Sequence, residues 1–366
     1  MSDSVDRLTV SVYTVPTDRP EADGTLAWDH TTLVVVQAHA GRASGLGWTY
    51  GSPTAAALIR GELATVVEGR DVFDTGGAHE ALRRTTRNLG RPGLAIGAIS
   101  AIDTALWDLK ARLLDVSLVA LLGGAPDTAV PVYGSGGFTT YDDATTAAQL
   151  RSWTEEQGIP RVKIKIGEDW GANPARDLSR IRLARDVVGD DVELYVDANG
   201  AYGPKQAIRI ADAFRDQRVT WFEEPVSSDD LAGLRQVRDA VLPDVTAGEY
   251  GYDPHQFLAL AGAVDCVQAD ATRCGGVTGW LRAAAVAAAA NRDVSAHCSP
   301  ALHVPLAAAV PNCRHVEWFH DHVRIESRLF AGAPDPRGGT ARAVGGTEPG
   351  LGLRLCDEAM AHFRTG

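Results

Sequence analysis

The sequence predicts an α/β protein in which a barrel of parallel strands and helices follows a smaller α+β domain. Short apolar runs recur between Arg161 and Glu317, and each ends on a side chain that can bind a metal ion or move a proton. The intervals between these end residues are 32, 26, 26, 21, 27 and 20 residues, which is what one buried strand, one helix and two loops require. The chain has 366 residues, so a barrel of roughly 250 residues leaves about a hundred for another domain.

The end residues of these apolar runs share one expected location. In a (β/α)8 barrel the loops that follow the strands build one mouth, so side chains at the carboxyl ends of the strands face the same space. A charged residue at any single end could simply mark where a strand leaves the core, but seven in register favour a functional site. The seven are Lys165, Asp197, Glu223, Glu249, Asp270, His297 and Glu317.

Residues 1–125 have the pattern of a small α+β domain. The β-branched, turn-bounded runs at 8–15, 31–38 and 43–49 predict a three-stranded antiparallel meander, with a polar loop, TDRPEADGT, between the first two. Helical periodicity follows in three segments. These segments are 53–69, 77–90 and 99–114.

The predicted barrel domain occupies residues 126–330. Its first strand lies in AVPVYGSGG and its eighth in CRHVEWF, and several helical segments between the strands open on a capping residue or a proline. The segment 331–350 is rich in glycine and proline and cannot form a long helix. We therefore expect the tail, residues 331–366, to run back across the first domain.

Composition limits the kind of partner and the compartment. The net charge of −12 argues against nucleic acid, because binding a polyanion requires a basic surface. The five cysteines are odd in number and form no CxxC, which indicates reduced thiols. The acidic N-terminus is unlike a signal peptide, and the longest apolar run, AAAVAAAA, is far shorter than the ~20 residues that span a bilayer. We expect a cytoplasmic homo-oligomer without nucleic-acid or membrane partners.

Three carboxylates end consecutive predicted strands, namely Asp197, Glu223 and Glu249. Hard oxygen ligands with no His or Cys among them suit Mg²⁺ better than zinc. Each acid could instead be a solvated loop residue or a helix cap. Three acids that converge in one mouth without a cation would repel one another, so the pattern favours a magnesium site.

Two lysines and a histidine lie on either side of these acids along the chain. Lys163 and Lys165 alternate with apolar residues, so both lie on the strand face that points into a closed barrel. A lysine near another cation in a dry pocket has its pKa lowered towards neutrality and can act as a base. Asp270 and His297 end adjacent strands, which allows a hydrogen bond between them. The alternatives are a solvated edge strand for the lysines and a satisfied interior position for His297.

A metal flanked by two bases suits removal of the proton beside a carboxylate, which gives an enediolate. The series VKIKIG, YVDANG, WFEEP, AGE, DATRCGG and SAHC, preceded by AIDTALWDLKARLL and LLGG, resembles the enolase superfamily and specifically its mandelate racemase subgroup. The resemblance covers nearly the whole chain. It implies a modified (β/α)7β TIM barrel with an N-terminal α+β capping domain that the C-terminal tail completes.

The resemblance also implies roles for the acids and lysines. It makes Asp197, Glu223 and Glu249 the ligands of Mg²⁺. It makes Lys165 the base on one face of the substrate, with Lys163 tuning that base and contacting the substrate carboxylate.

On the other face, the resemblance makes His297, paired with Asp270, the second acid or base. It makes Glu317 a hydrogen-bond partner of the enediolate oxygen, and Asn199 a support for the metal site or the substrate. The pair His297 and Asp270 separates this chain from the muconate-lactonising branch, where a lysine serves on that side. A glutamate, Glu249, rather than an aspartate as the third ligand also separates this chain from that branch.

The reaction and the substrate stay open at this stage. We favour dehydration of a sugar acid, an aldonate or aldarate, to a 2-keto-3-deoxy acid, because most subgroup members with a complete His and Asp pair resemble acid-sugar dehydratases. Racemisation or epimerisation of a 2-hydroxy acid or related carboxylate would use the same residues. A non-catalytic metal-binding scaffold is the alternative from another class, although none of the expected acids and bases is missing.

In either enzyme the partner is a small carboxylate substrate, and the cap loops TDRPEADGT and WTYGSP are expected to close over it. A group of histidines around the eighth strand has no assigned role. They are His303, His315, His320 and His322.

Overall fold

The computed structural model describes residues 4–343, 348–356, 358 and 361–366. The first three strands form the antiparallel meander that the sequence predicts, in the order β1-β2-β3. Their bounds are β1 (Arg7–Ala22), β2 (Ala27–Ala40) and β3 (Ala43–Tyr50).

The polar segment between the first two predicted strands is not a loop, which corrects the sequence-based prediction. Strand β1 continues through it to Ala22, with a register shift between Pro16 and Glu21, and pairing resumes where Glu21 faces Trp28. Proline lacks a donor N–H, and an irregularity of this kind lets a strand pass it without losing its partner. The result is a long β1–β2 hairpin whose turn lies at 23–26.

The helices of the capping domain pack on this sheet. The longest, α4, lies against β3 so closely that a Cβ at Gly45 or Gly47 would come within 2.2 Å of a helix carbonyl oxygen, which explains glycine at both positions. A π-helical turn joins the first two helices. The helix bounds are α1 (Thr54–Leu58), α2 (Ala64–Val67), α3 (Thr75–Thr85), α4 (Ile96–Leu113) and α5 (Leu118–Leu121).

Eight parallel strands follow and close into a barrel, because the last, β11, pairs with the first, β4. The register aligns Lys165 with Asp197, and Asp197 with Glu223. Three predicted site residues therefore stand at one level of the barrel wall. The strand bounds are β4 (Val130–Gly136), β5 (Arg161–Lys165), β6 (Glu193–Asp197), β7 (Val219–Glu223), β8 (Asp244–Ala247), β9 (Cys266–Ala269), β10 (Asp293–Ala296) and β11 (Cys313–Phe319).

Helices connect the strands and confirm the predicted modified TIM barrel. A further helix follows the eighth strand. The helix bounds are α6 (Asp143–Arg151), α7 (Glu168–Gly171), α8 (Pro174–Val188), α9 (Pro204–Ala213), α10 (Leu231–Arg238), α11 (Pro254–Ala261), α12 (Gly276–Ala289), α13 (Pro300–Ala307) and α14 (His320–Leu329).

The described end of the tail returns to the capping domain, whereas residues 340–341 pair with the barrel. Leu351 donates its backbone N–H to the buried Asp108 on α4, at 2.6 Å. Val12 of β1 exchanges backbone hydrogen bonds with the last two residues of the chain. Short strands complete the tail: β12 (Phe330–Ala331) pairs with β14 (Arg354–Leu355), and β13 (Thr340–Ala341) pairs with β4.

No helix in the described part of the chain is long and apolar enough to cross a membrane. The domain boundaries after residues 125 and 330, the homo-oligomer and the cytoplasmic location stay predictions.

Candidate active site

Three carboxylates converge inside the barrel mouth. Asp197 and Glu223 are the last residues of β6 and β7, and Glu249 follows β8 by two residues. Each is almost completely buried, and one oxygen from each lies within 4.8 Å of the other two. Gly248 makes this turn possible, because its φ is +141° and a Cβ there would stand 2.0 Å from the carbonyl oxygen of Gln268.

The two lysines of β5 point into the barrel and contact these acids. Lys165 Nζ lies 2.5 Å from Asp197 Oδ2. Lys163 Nζ lies 2.6 Å from Glu223 Oε1 and 2.8 Å from Glu317 Oε1. Both lysines are buried, so the solvated-strand alternative does not hold.

His297 and Asp270 form the expected pair on the other side of the acids. His297 Nδ1 lies 2.8 Å from Asp270 Oδ2, and Nε2 faces Glu249 Oε2 at 3.3 Å. Thr272 donates to the other oxygen of Asp270 through its backbone N–H and its hydroxyl, each at 2.7 Å. Thr272 thus fixes the Asp270 carboxylate through the oxygen that does not contact His297. The carboxylate in turn orients the imidazole so that Nε2 faces the acids.

A strained turn follows His297. Cys298 and Ser299 have φ values of +53° and +40°, which are unfavourable for residues with a Cβ. Buried acceptors hold the turn, since Glu317 accepts from the N–H of Cys298 at 2.9 Å and His322 from that of Ser299 at 3.2 Å. Glu317 therefore connects the turn after β10 to Lys163.

Asn199 lies beside the first carboxylate. Its backbone N–H donates to Asp197 Oδ1 at 2.9 Å, and its φ is +45°, a conformation that asparagine tolerates better than most residues. Its side chain lines the same cavity as Lys165 and His297.

The electrostatics of the site differ from one sequence-based expectation. Burial lowers the pKa of Lys165, but the carboxylates of Asp197, Glu249 and Glu317 together outweigh burial, so the pKa stands above its ordinary value. The predicted shift towards neutrality is therefore wrong for the protein chain by itself. Burial also lowers the pKa of His297, but Glu249 and the hydrogen bond to Asp270 raise it above its usual value. Burial raises the pKa of Glu223 to about 7.

The donor set fits a hard divalent cation such as Mg²⁺. The converging atoms of Asp197, Glu223 and Glu249 are carboxylate oxygens, which Mg²⁺ prefers. Within the described residues, Glu249 Oε2 and Asn199 Oδ1 are buried and accept no hydrogen bond. Buried polar atoms without partners are unusual, and oxygens beside a cation site do not need another donor.

A cavity of about 320 Å³ opens over these residues and lies between the barrel mouth and the capping domain. The barrel contributes Lys165, Asn199, Glu249, His297 and Glu317 to its lining. The capping domain contributes the β1–β2 hairpin and the end of β3. A volume of this size suits a small organic ligand.

Several site residues were not singled out from the sequence. Arg273 lies 3.2 Å from Glu249 Oε1 and lines the cavity. Glu224 is buried beside Glu223, and burial together with Glu249 raises its pKa far above the usual range. Trp221 donates its indole N–H to Glu223 Oε2 at 2.9 Å. In the sequence, only their positions within the motifs DATRCGG and WFEEP could have identified these three residues.

The four unassigned histidines have different surroundings. His303 accepts the N–H of Ala271 at 2.8 Å and is buried. His315 packs against aromatic rings deeper in the barrel. His320 lies 3.1 Å from Asp18. His322 is the one that lines the cavity.

Comparison with known proteins agrees with this geometry. Residues 7–123 match the family model described as mandelate racemase / muconate lactonizing enzyme, N-terminal domain, and residues 145–359 match the model described as enolase C-terminal domain-like. A crystal structure of a mandelate racemase/muconate lactonizing enzyme-like protein from Rubrobacter xylanophilus superposes with a TM-score of 0.94 at 46% identity. That superposition covers 99% of this chain and 100% of the other.

A racemase from Streptomyces coelicolor A3(2), solved with bound magnesium, is similar with a TM-score of 0.91 at 28% identity, covering 99% of this chain and 100% of that one. The L-talarate/galactarate dehydratase of Salmonella typhimurium LT2 is 33% identical over 71% of this chain, which corresponds to 65% of that enzyme's length. Other relatives are named as sugar-acid dehydratases, cycloisomerases and an epimerase. From its match to both family models and from its fold, this chain belongs to the enolase superfamily, in the mandelate racemase subgroup.

Proposed function

We propose that this protein uses Mg²⁺ to abstract the proton beside the carboxylate of a sugar acid, and that it then dehydrates the acid to a 2-keto-3-deoxy acid. The observation that carries the proposal is that Lys165 and His297, whose side chains can transfer protons, lie on opposite sides of three convergent carboxylates in one cavity. Strand β5 carries the lysine and β10 precedes the histidine, and the carboxylates come from the strands between them.

Asp197, Glu223 and Glu249 would hold the metal. When bound there, Mg²⁺ supplies positive charge that stabilises the enediolate and lowers the pKa of a neighbouring lysine. Relatives solved with magnesium support this assignment.

The chain's own groups then have separable tasks. Lys165 takes the proton from the face of the substrate that it borders. His297, oriented through Nδ1 by Asp270, offers Nε2 on the other side, where it takes the proton of the opposite configuration. Whichever of the two residues does not take the proton protonates the departing β-hydroxyl. Lys163 and Glu317, 2.8 Å apart, form a charged pair that contacts the substrate carboxylate and the enediolate oxygen. Asn199 supports the metal site through Asp197.

Racemisation or epimerisation is the second candidate, and the same opposed pair of groups favours it. In that reaction His297 returns the proton to the carbon on the opposite face instead of protonating a leaving hydroxyl. Substrate structure decides between the two, because dehydration requires a hydroxyl on the β-carbon.

A substrate panel tests the proposal. The protein is incubated with Mg²⁺ and a set of aldonic and aldaric acids, and 2-keto acid formation is followed alongside deuterium incorporation at the α-carbon in D₂O. We expect 2-keto acid from at least one acid. Deuterium incorporation with inversion and no 2-keto acid would select the racemase, and absence of both signals across the panel would contradict the proposal.

A further inference from the structure

The capping domain builds the cavity wall that faces the barrel mouth. Asp23, Trp28 and Thr31 come from the β1–β2 hairpin, and Tyr50 ends β3. Within the described residues, the cap's share of the cavity lining contains no lysine and no arginine. The part of a substrate remote from the metal ligands therefore meets no fixed positive charge on the cap.

Three hydrogen-bond donors of this wall already donate to carboxyl groups of residues outside the cavity lining. The accepting residues are at most 1% exposed, so the acceptor side of each bond is shielded from water. A second substrate carboxylate would need such donors, and they are already engaged. The pairs, donor first, are Trp28 Nε1 to Glu21 Oε2 at 2.9 Å, Thr31 Oγ1 to Asp321 Oδ2, and Tyr50 Oη to Glu326 Oε1 at 3.2 Å.

Asp23 adds a carboxylate to the wall itself. Its Oδ1 accepts the backbone N–H groups of Thr25 at 2.6 Å and Leu26 at 2.8 Å, which fixes the turn of the hairpin and the position of the side chain. A carboxylate in this position accepts hydrogen bonds from hydroxyl groups and repels another carboxylate.

The cations on the barrel side lie at the metal end of the cavity, beside two of the acids that would hold the metal. Lys165 contacts Asp197, and Arg273 contacts Glu249 at 3.2 Å. His322 stacks on a tyrosine ring, and burial lowers its pKa to about 3, so it is neutral at pH 7. On the cap, His30 has its Nδ1 2.6 Å from the carboxylate of Asp29.

We propose that the substrate carries one carboxylate, at the metal end, and that its far end is a neutral polyhydroxylated chain. The protein then acts on aldonates rather than aldarates, and Asp23 is a residue that determines this specificity. The inference rests on the proposed function and narrows it. It also separates this chain from its relative that is named for the diacids talarate and galactarate.

Matched six-carbon pairs test the inference. D-Gluconate is compared with D-glucarate, and D-galactonate with galactarate, in the presence of Mg²⁺. We measure kcat/KM for 2-keto acid formation and, separately, equilibrium binding by titration calorimetry. At least one aldonate should exceed its aldarate partner by tenfold or more in both measurements. Equal or better use of the aldarates, or no binding of either class at 10 mM, would overturn the inference.

The binding measurement keeps this test distinct from the test of the reaction. If no acid is turned over but aldonates bind at least tenfold more tightly than aldarates, the proposed reaction fails and the charge selectivity stands. If aldarates are dehydrated faster, the reaction stands and the selectivity fails.

A variant tests the role of Asp23. Asp23→Asn retains an oxygen that can accept the turn's N–H groups but removes the charge, so the preference for aldonates should shrink at least threefold. Asp212→Asn, at a 71% exposed side chain on a barrel helix, makes the same change in net charge and should leave the preference unaltered. An unchanged preference in Asp23→Asn would overturn the assignment of this residue.

Discussion

Trp221→Phe should weaken Mg²⁺ binding although residue 221 does not ligate the metal. Glu223 is fully buried, Lys163 contacts its Oε1 at 2.6 Å, and the Trp221 indole N–H donates to its Oε2 at 2.9 Å. Phenylalanine keeps an aromatic ring in the barrel but removes the donor. Glu223 then loses the group that fixes its second oxygen.

A hydrogen bond to a charged group contributes about 1.5–3 kcal/mol, and 1.4 kcal/mol corresponds to about a factor of ten in affinity. Replacing a residue that orients a metal ligand commonly costs about 10–100-fold in metal affinity. We therefore expect the Mg²⁺ Kd of Trp221→Phe to rise by about 10–100-fold. Titration calorimetry of the metal-free protein measures it, and thermal unfolding checks that the variant is folded.

Trp280→Phe is the matched control for this prediction. Trp280 is fully buried on α12, and within the described residues its indole N–H has no hydrogen-bond partner. It should cost packing energy but leave the Mg²⁺ Kd within twofold of wild type. If Trp221→Phe bound Mg²⁺ like wild type, or if Trp280→Phe weakened it equally, the account of Glu223 positioning would be refuted.

Three further predictions concern the metal site, the backbone around Lys165 and a contact between the cap and the barrel. Glu223→Gln should abolish turnover, and exhaustive chelation should do the same to wild type until Mg²⁺ is restored; full activity after chelation would contradict the metal assignment. Arg180 donates to the backbone carbonyl of Lys165 and to the backbone carbonyls of Phe138 and Tyr141, which follow β4. Lysine cannot make all of these hydrogen bonds, so Arg180→Lys should cost about 2–3 kcal/mol in urea unfolding. Asp103→Ala removes a buried carboxylate that contacts His79 within the cap and accepts the backbone N–H of Thr278 on the barrel helix α12, so it should cost about 3 kcal/mol in urea unfolding; an unchanged unfolding midpoint would show that these contacts are dispensable.

The sequence predicted the barrel and the site because both follow from local patterns. Strand-length apolar runs at intervals of 20–32 residues fix the βα alternation, and the end of each parallel strand lies at the same edge of the barrel. The alternation of Lys163 and Lys165 with apolar neighbours likewise determines which way their side chains point. In the structure, the strand register accordingly aligns Lys165 with Asp197, and Asp197 with Glu223.

Other features depend on contacts that no local pattern reveals. The prolines and charges of the segment 17–25 indicate a loop, yet pairing with β2 carries β1 through it to Ala22. The role of Arg273 appears only when the loops after β8 and β9 come together. The pKa of Lys165 depends on how near Asp197 lies, since burial and an adjacent carboxylate act in opposite directions.

We propose that Lys165 and His297 transfer protons at opposite faces of the substrate. Deuterium exchange at the α-carbon by single-site variants tests this most directly. NMR in D₂O follows an epimeric pair of substrates with His297→Asn and with Lys165→Ala, after calorimetry has confirmed that each variant binds Mg²⁺ and substrate. We expect His297→Asn to exchange only the epimer whose proton faces Lys165, and Lys165→Ala to exchange only the other. Loss of exchange for both epimers in one variant that still binds metal and substrate would contradict it.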